Sequence, residues 1–219
     1  LLCEGDSVVA LVPPGVDPHD YQLRPSDVAL LEEADIIVST GHAPFEADIR
    51  ELKETGRIRG VLVEIPRIPG VTLLQNPATG APNLHMPIYD PENYRAFVKY
   101  LASVMGSLRP ECAEDYAAKA LNVSSVIGSI TLRAPRLDVT AAADLPLVQY
   151  AVAWMGVDVE KLLVREHGVP ASPGDVRELE ELIRRGEIGL VVVVSPPKSK
   201  ASSVLLGLAR RYGLPVVYV

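Results

Sequence analysis

Four histidines and two cysteines carry most of the metal and nucleophile chemistry open to this chain. His19 lies in Gly15-Val16-Asp17-Pro18-His19-Asp20-Tyr21, between two carboxylates and just behind Pro13-Pro14. His85 lies in a second loop rich in Pro and Asn, Asn83-Leu84-His85-Met86-Pro87, ahead of Asp90-Pro91. A transition-metal site needs three or four nitrogen and oxygen donors converging from different elements. Loop imidazoles flanked by carboxylates suit that need, and solvated loop histidines are the plainer reading of the same residues. His42, in Ser39-Thr40-Gly41-His42-Ala43-Pro44, reads as a turn residue or helix cap, or as a neighbour of the same site. His167 precedes Gly168 and reads as a turn. Asp144 follows an apolar run, where it is either a ligand or the N-cap of a helix starting near Pro146. Cys3 and Cys112 form no C-x-x-C pair and are expected to be two separate buried thiols.

Other chemistry is poorly represented. The chain has no G-x-S-x-G, no G-x-x-x-x-G-K-[ST], no H-E-x-x-H and no G-x-G-x-x-G. Neither cysteine has a histidine beside it in sequence, so nothing supports a thiol nucleophile. A net charge of −7 argues against a nucleic-acid footprint. No apolar run reaches the roughly 18 residues of a membrane span. With 219 residues and 48% apolar side chains, the chain can bury one large core or two small ones.

The elements that must position these groups alternate between strands and helices. Apolar runs at Val8–Val12, Asp35–Val38 and Val61–Ile65 predict buried strands, with a further one at Val71–Leu74. Between them, Pro25-Ser26-Asp27 opens a helix with proline in its first turn. Phe45, Ile49 and Leu52 make the apolar stripe of another. Two longer helices follow, from Asp90-Pro91 to Leu108 and from Glu111 to about Ile130. After Pro135 the alternation resumes. Strands are expected at Leu137–Thr140, Val159–Val164, Leu190–Val194 and Val216–Val219. Helices carry Leu147 to Trp154, Val176 to Ile183 behind the Ser172 cap, and Val204 to Leu208. This is α/β patterning with mainly parallel sheets. The loops bearing His19 and Asp144 leave the carboxyl ends of strands, where such sheets bind ligands.

The stretch "LVPPGVDPHDYQLRPSDVALLEEADIIVSTG" resembles the opening signature of the cluster A-I metal-binding proteins, the zinc and manganese substrate-binding subunits of ABC importers. "NLHMPIYDPENY" is similar to the family's second histidine motif, and "RPECAEDYAAKA" to the start of its interlobe helix. "YAVAWMGV", "PASPGDVRELEELIRRGEIGLVVVV" and "ARRYGLPVVYV" extend the resemblance over nearly the whole chain. It implies two α/β lobes joined by a long interlobe helix, with residues 1–108 as the N-terminal lobe, 109–134 as the helix and 135–219 as the C-terminal lobe. The family's first strand, first helix and leader have no counterpart in the sequence, so both ends are expected to be trimmed.

The resemblance further implies capture, not catalysis. His19 and His85 would be ligands of a Zn²⁺ or Mn²⁺ ion carried as cargo. The family's third ligand falls on Leu145, and Asp144, one residue earlier, is the candidate to replace it. A carboxylate in that place would tilt the site towards Mn²⁺ or weaker Zn²⁺ binding. The expected partner is an ABC permease. The expected location is extracytoplasmic, as a monomer tethered to the membrane through an N-terminal anchor, with no nucleic-acid partner. Two alternatives remain: a family member whose site has changed to another ligand or an adhesion partner, and a zinc-dependent hydrolase.

Overall fold

A computed structural model describes residues 1–165, 169–197 and 199–219. His167 lies outside the described residues. The chain divides into two compact units. The first comprises Leu1–Thr72 and Glu92–Leu132, and the second Leu73–Pro91 and Arg133–Val219. The two long helices therefore group with the first unit, and the loop carrying His85 groups with the second.

In the first unit, α1 (Pro25–Glu33) leads to β1 (Ile36–Ser39), then α2 (Phe45–Glu54) and β2 (Val61–Glu64). β1 and β2 pair in parallel, Ile37 opposite Leu62 and Val38 opposite Val63. The return to β2 is tight. A Cβ on Gly60 would stand 2.1 Å from the Ala34 carbonyl oxygen, so only glycine fits there. The apolar stripe of α2 was legible because Phe45 and Ile49 are the residues it buries, against Tyr21, Leu31, Ile37 and Ile58. Helices α3 (Pro91–Leu108) and α4 (Ala113–Thr131) bury a second cluster of Val98, Ala102, Cys112, Tyr116 and Ala120.

The second unit is a four-stranded sheet in the order β4-β3-β5-β6, with β3 Val139–Ala143, β4 Val157–Leu162, β5 Leu190–Val193 and β6 Val216–Tyr218. All its pairings are parallel. Such a sheet must be covered on both faces, and alternate residues face opposite sides. Accordingly Ala142, Val191 and Val193 join one cluster with Leu179 and Leu182 of α6 (Pro173–Arg184) and Leu205 of α7 (Lys200–Tyr212). Ala141, Ala143 and Val192 join another with Val148 and Val152 of α5 (Val148–Ala153).

Four expectations are corrected. Residues 8–12 form no strand, and Val8 and Val9 are exposed, because no neighbouring strand offers them a ladder. Val71–Leu74 is also not a strand; only a single antiparallel bridge, Gln75 to Pro82, forms nearby. The strand expected at Leu137–Thr140 begins at Val139 and runs through the small residues to Ala143, since it is their lack of bulk that lets helices pack closely on both faces. Cys3 and Cys112 are not separate thiols but a disulfide, formed inside the first unit across 109 residues. Among the described residues no helix is long and apolar enough to cross a membrane.

Candidate metal centre

His19 sits in a single 3-10 turn, Pro18–Asp20, capped by Asp17. Asp17 Oδ1 accepts from the His19 backbone N–H at 2.9 Å and from the His19 ring Nδ1 at 2.8 Å. A neutral ring that donates through Nδ1 carries its lone pair on Nε2. The turn is anchored behind His19. Tyr21 is buried, and its hydroxyl donates to Asp27 at 2.8 Å, while Asp27 also accepts from the Arg24 N–H at 2.7 Å.

The first unit brings His42 to that nitrogen. His19 Nε2 and His42 Nε2 are 2.9 Å apart, and the rings meet edge to face with centroids 4.9 Å apart. His42 rides the short loop from β1 to α2, and Glu46, in the first turn of α2, organises that loop. Its carboxylate accepts from Ser39 Oγ at 3.0 Å, Thr40 N–H at 2.6 Å, Thr40 Oγ1 at 2.7 Å, His42 N–H at 2.8 Å and Ala43 N–H at 2.8 Å. Burial pushes the Glu46 carboxyl up, but the Thr40 hydroxyl and the backbone donors outweigh it and hold the group below its usual range. Gly41 turns the chain at a φ of 70° immediately before His42.

His85 is held in the second unit by the same device. Asn83 Oδ1 accepts from the His85 backbone N–H at 3.0 Å and from the ring Nδ1 at 2.9 Å, which again leaves the lone pair on Nε2. Asn83 is itself fixed. Its amide donates to the Pro146 carbonyl at 2.9 Å and to Gln149 Oε1 at 2.8 Å, and its carbonyl accepts from the Tyr150 hydroxyl at 2.6 Å. Met86 follows with a left-handed φ of 53°, which turns the chain directly after the histidine.

Asp144 lies at the carboxyl end of β3 and is completely buried. Its carboxylate accepts from Ser202 Oγ at 2.6 Å and from the Val194 N–H at 3.2 Å. Burial raises its pKa, and the Ser202 and Val194 bonds oppose that only in part. It thus ties the end of β5 and the start of α7 to β3. Sequence reasoning placed His19 and His85 on loops but missed Asp17 and Asn83 as the acceptors that hold their rings, and Glu46 as the residue that holds the loop of His42. The signal was available: each histidine has an Asp or Asn two residues before it, the spacing at which a side-chain oxygen reaches both backbone and ring.

A profile of the family described as zinc-uptake complex component A periplasmic (ZnuA) matches residues 5–219. A putative metal-binding protein of Thermotoga maritima is 56% identical over 41 residues, a stretch that is 19% of this chain and 15% of that relative. The fold is shared with the Mn²⁺ complex of the SBP FpvC from Pseudomonas aeruginosa, at a TM-score of 0.75 and 20% identity over 95% of this chain and 77% of that one. It is shared equally with a crystal structure of ZnuA, at a TM-score of 0.73 and 20% identity over 97% and 81% of the two chains. Two α/β units, parallel sheets and a match to all but the first four residues lead to one conclusion: the chain belongs to the zinc-uptake complex component A periplasmic family.

Proposed function

We propose that this protein is an extracytoplasmic receptor that captures a divalent transition metal, Zn²⁺ or Mn²⁺, and delivers it to the permease of an ABC importer. The observation that carries the reading is the repeated Asx-x-His device. Asp17 and Asn83 each accept a hydrogen bond from Nδ1 of the histidine two residues on, which makes Nε2 the nitrogen that would coordinate a metal. Metal-binding imidazoles are oriented in this way, with the second nitrogen donating to a carboxylate or carbonyl. His19 and His85 are the proposed ligands from the two units. Asp144 is the further candidate from the second unit, its carboxylate already accepting from Ser202 and Val194. The Cys3–Cys112 disulfide suits an oxidising compartment outside the cytoplasm. A lipid anchor and a monomeric state complete the proposal.

Capture and release need no bond-making in the cargo, so the protein acts as a binder and not as an enzyme. The test is a calorimetric titration of chelator-stripped protein with Zn²⁺ and Mn²⁺ at neutral pH, beside a His19→Ala/His85→Ala double variant. One-site binding that the double variant loses supports the reading. A wild-type protein that binds neither metal refutes it.

A further inference from the structure

We infer that His42 is a metal ligand, and that its imidazole makes the site select Zn²⁺ over Mn²⁺. This deepens the metal-capture reading and rests on it. Three observations lead there, the first being geometric. His42 Nε2 faces His19 Nε2 at 2.9 Å, both rings belong to the first unit, and both are half-buried. Two imidazole nitrogens bound to one tetrahedral zinc at 2.0–2.1 Å stand about 3.3 Å apart. The pair is therefore within a few tenths of an ångström of a chelating separation, which a small ring rotation supplies.

The second observation is preorganisation. The loop that carries His42 is fixed by five hydrogen bonds to the buried Glu46, including one from the His42 backbone itself. The backbone that carries the ring is thus held in place by the protein's own framework. The third is the state of the other candidates. Leu145 has no donor atom, and Asp144 is fully buried with its carboxylate engaged by Ser202 and Val194. His42 would add a second imidazole to that of His19, so the first unit contributes two ring nitrogens to the proposed site. Imidazole suits Zn²⁺, Cu²⁺ and Ni²⁺, whereas carboxylate and water suit Mn²⁺, and the intrinsic affinity order places Mn²⁺ lowest.

The experiment is competition of chelator-stripped protein against a chromophoric chelator, with Zn²⁺ and Mn²⁺ separately. It compares wild type with His42→Ala, His42→Asn and His42→Asp. His42→Asn keeps a polar side chain of similar reach should the alanine variant fold poorly, and circular dichroism reports folding for each. The expected result is a preference of at least about 100-fold for Zn²⁺ in the wild type. Zn²⁺ affinity should fall about 100-fold or more in His42→Ala and His42→Asn, and the preference should narrow about tenfold or more in His42→Asp, where an oxygen replaces the nitrogen. Folded His42 variants that bind Zn²⁺ as tightly as wild type would overturn the inference while leaving metal capture intact. So would a wild type that prefers Mn²⁺. Loss of binding in the wild type itself would sink the capture reading and this inference with it.

Discussion

At the scale of single residues, the support of a ligand separates cleanly from the support of the fold. Asp17 is a surface carboxylate with nearly half of its side chain exposed, and its ring partner is His19. Replacing it by alanine removes the acceptor that orients the His19 ring and the cap of the turn that carries it, but leaves no buried cavity. Asp17→Ala should therefore lower metal affinity about 10- to 100-fold. Its melting temperature should fall modestly, because Asp17 also caps the turn at Pro18–Asp20 and losing a cap costs about 0.5–2 kcal/mol. Equal affinity in wild type and variant would remove Asp17 from the site. Glu46 is the opposite case. It is buried, and its carboxylate accepts five hydrogen bonds from the loop. Glu46→Gln turns one acceptor into an NH₂ group that faces N–H donors. The expected cost is about 1–3 kcal/mol of stability, together with weaker metal binding through the His42 loop. Thermal melts and the chelator competition measure the two effects, and a variant that lost neither would show that the loop keeps its shape without the carboxylate.

At the scale of elements, the start of α6 shows how local chemistry fixes a helix. Ser172 Oγ accepts from the Asp175 N–H at 3.1 Å, and Asp175 Oδ2 accepts from the Ser172 N–H at 2.9 Å. The Ser172 hydroxyl and N–H, followed by the Arg165 guanidinium, hold the Asp175 carboxyl well below its ordinary value of 3.8. A depressed folded pKa contributes stability that is present above the unfolded value and is lost as pH falls through the folded one. Asp175→Asn should thus lower the melting temperature by a constant amount from pH 7 down to about pH 5, and the gap to wild type should close below pH 3.8. A gap that stayed constant down to strongly acidic pH would show that charge is irrelevant to this cap. This cap was legible in the sequence because Ser172 and Asp175 stand at the right spacing before an apolar stripe. The other helices, and the strands β1, β2, β4, β5 and β6, were legible for the same kind of reason, since periodicity and flanking Pro or Gly are local signals. What failed was non-local. Val8 and Val9 have strand-like composition, yet a strand exists only where another strand offers hydrogen bonds. The Cys3–Cys112 bond depends on two segments 109 residues apart meeting in space. The candidate site divides along the same line. His19 and His85 were visible through their motifs, whereas the pairing of His42 with His19 depends on the β1–α2 loop reaching the 3-10 turn at Pro18–Asp20.

At the scale of the whole molecule, each unit has its own buried clusters, which gives each the means to unfold in its own transition. The disulfide lies wholly in the first unit and ties the Cys3 segment to the start of α4. In the chain-entropy description, closing a loop of about 100 residues restricts the unfolded state by up to about 4.7 kcal/mol. Trp154 is the one tryptophan of the sequence and belongs to the second unit. Its fluorescence therefore reports the second unit, while far-ultraviolet circular dichroism reports both. Reduction of Cys3–Cys112 should lower the midpoint seen by circular dichroism and leave the fluorescence midpoint nearly in place. Zinc gives the contrasting case. If His85 binds the ion from the second unit, as proposed, Zn²⁺ stabilises that unit too, by about 2.7 kcal/mol at 100 times its dissociation constant. Zinc should then raise both midpoints where reduction moves one. Should reduction shift the Trp154 signal as far as the dichroism, the two units unfold as one cooperative body. Should zinc leave Trp154 unmoved, His85 is not a ligand and the first unit binds the metal without it.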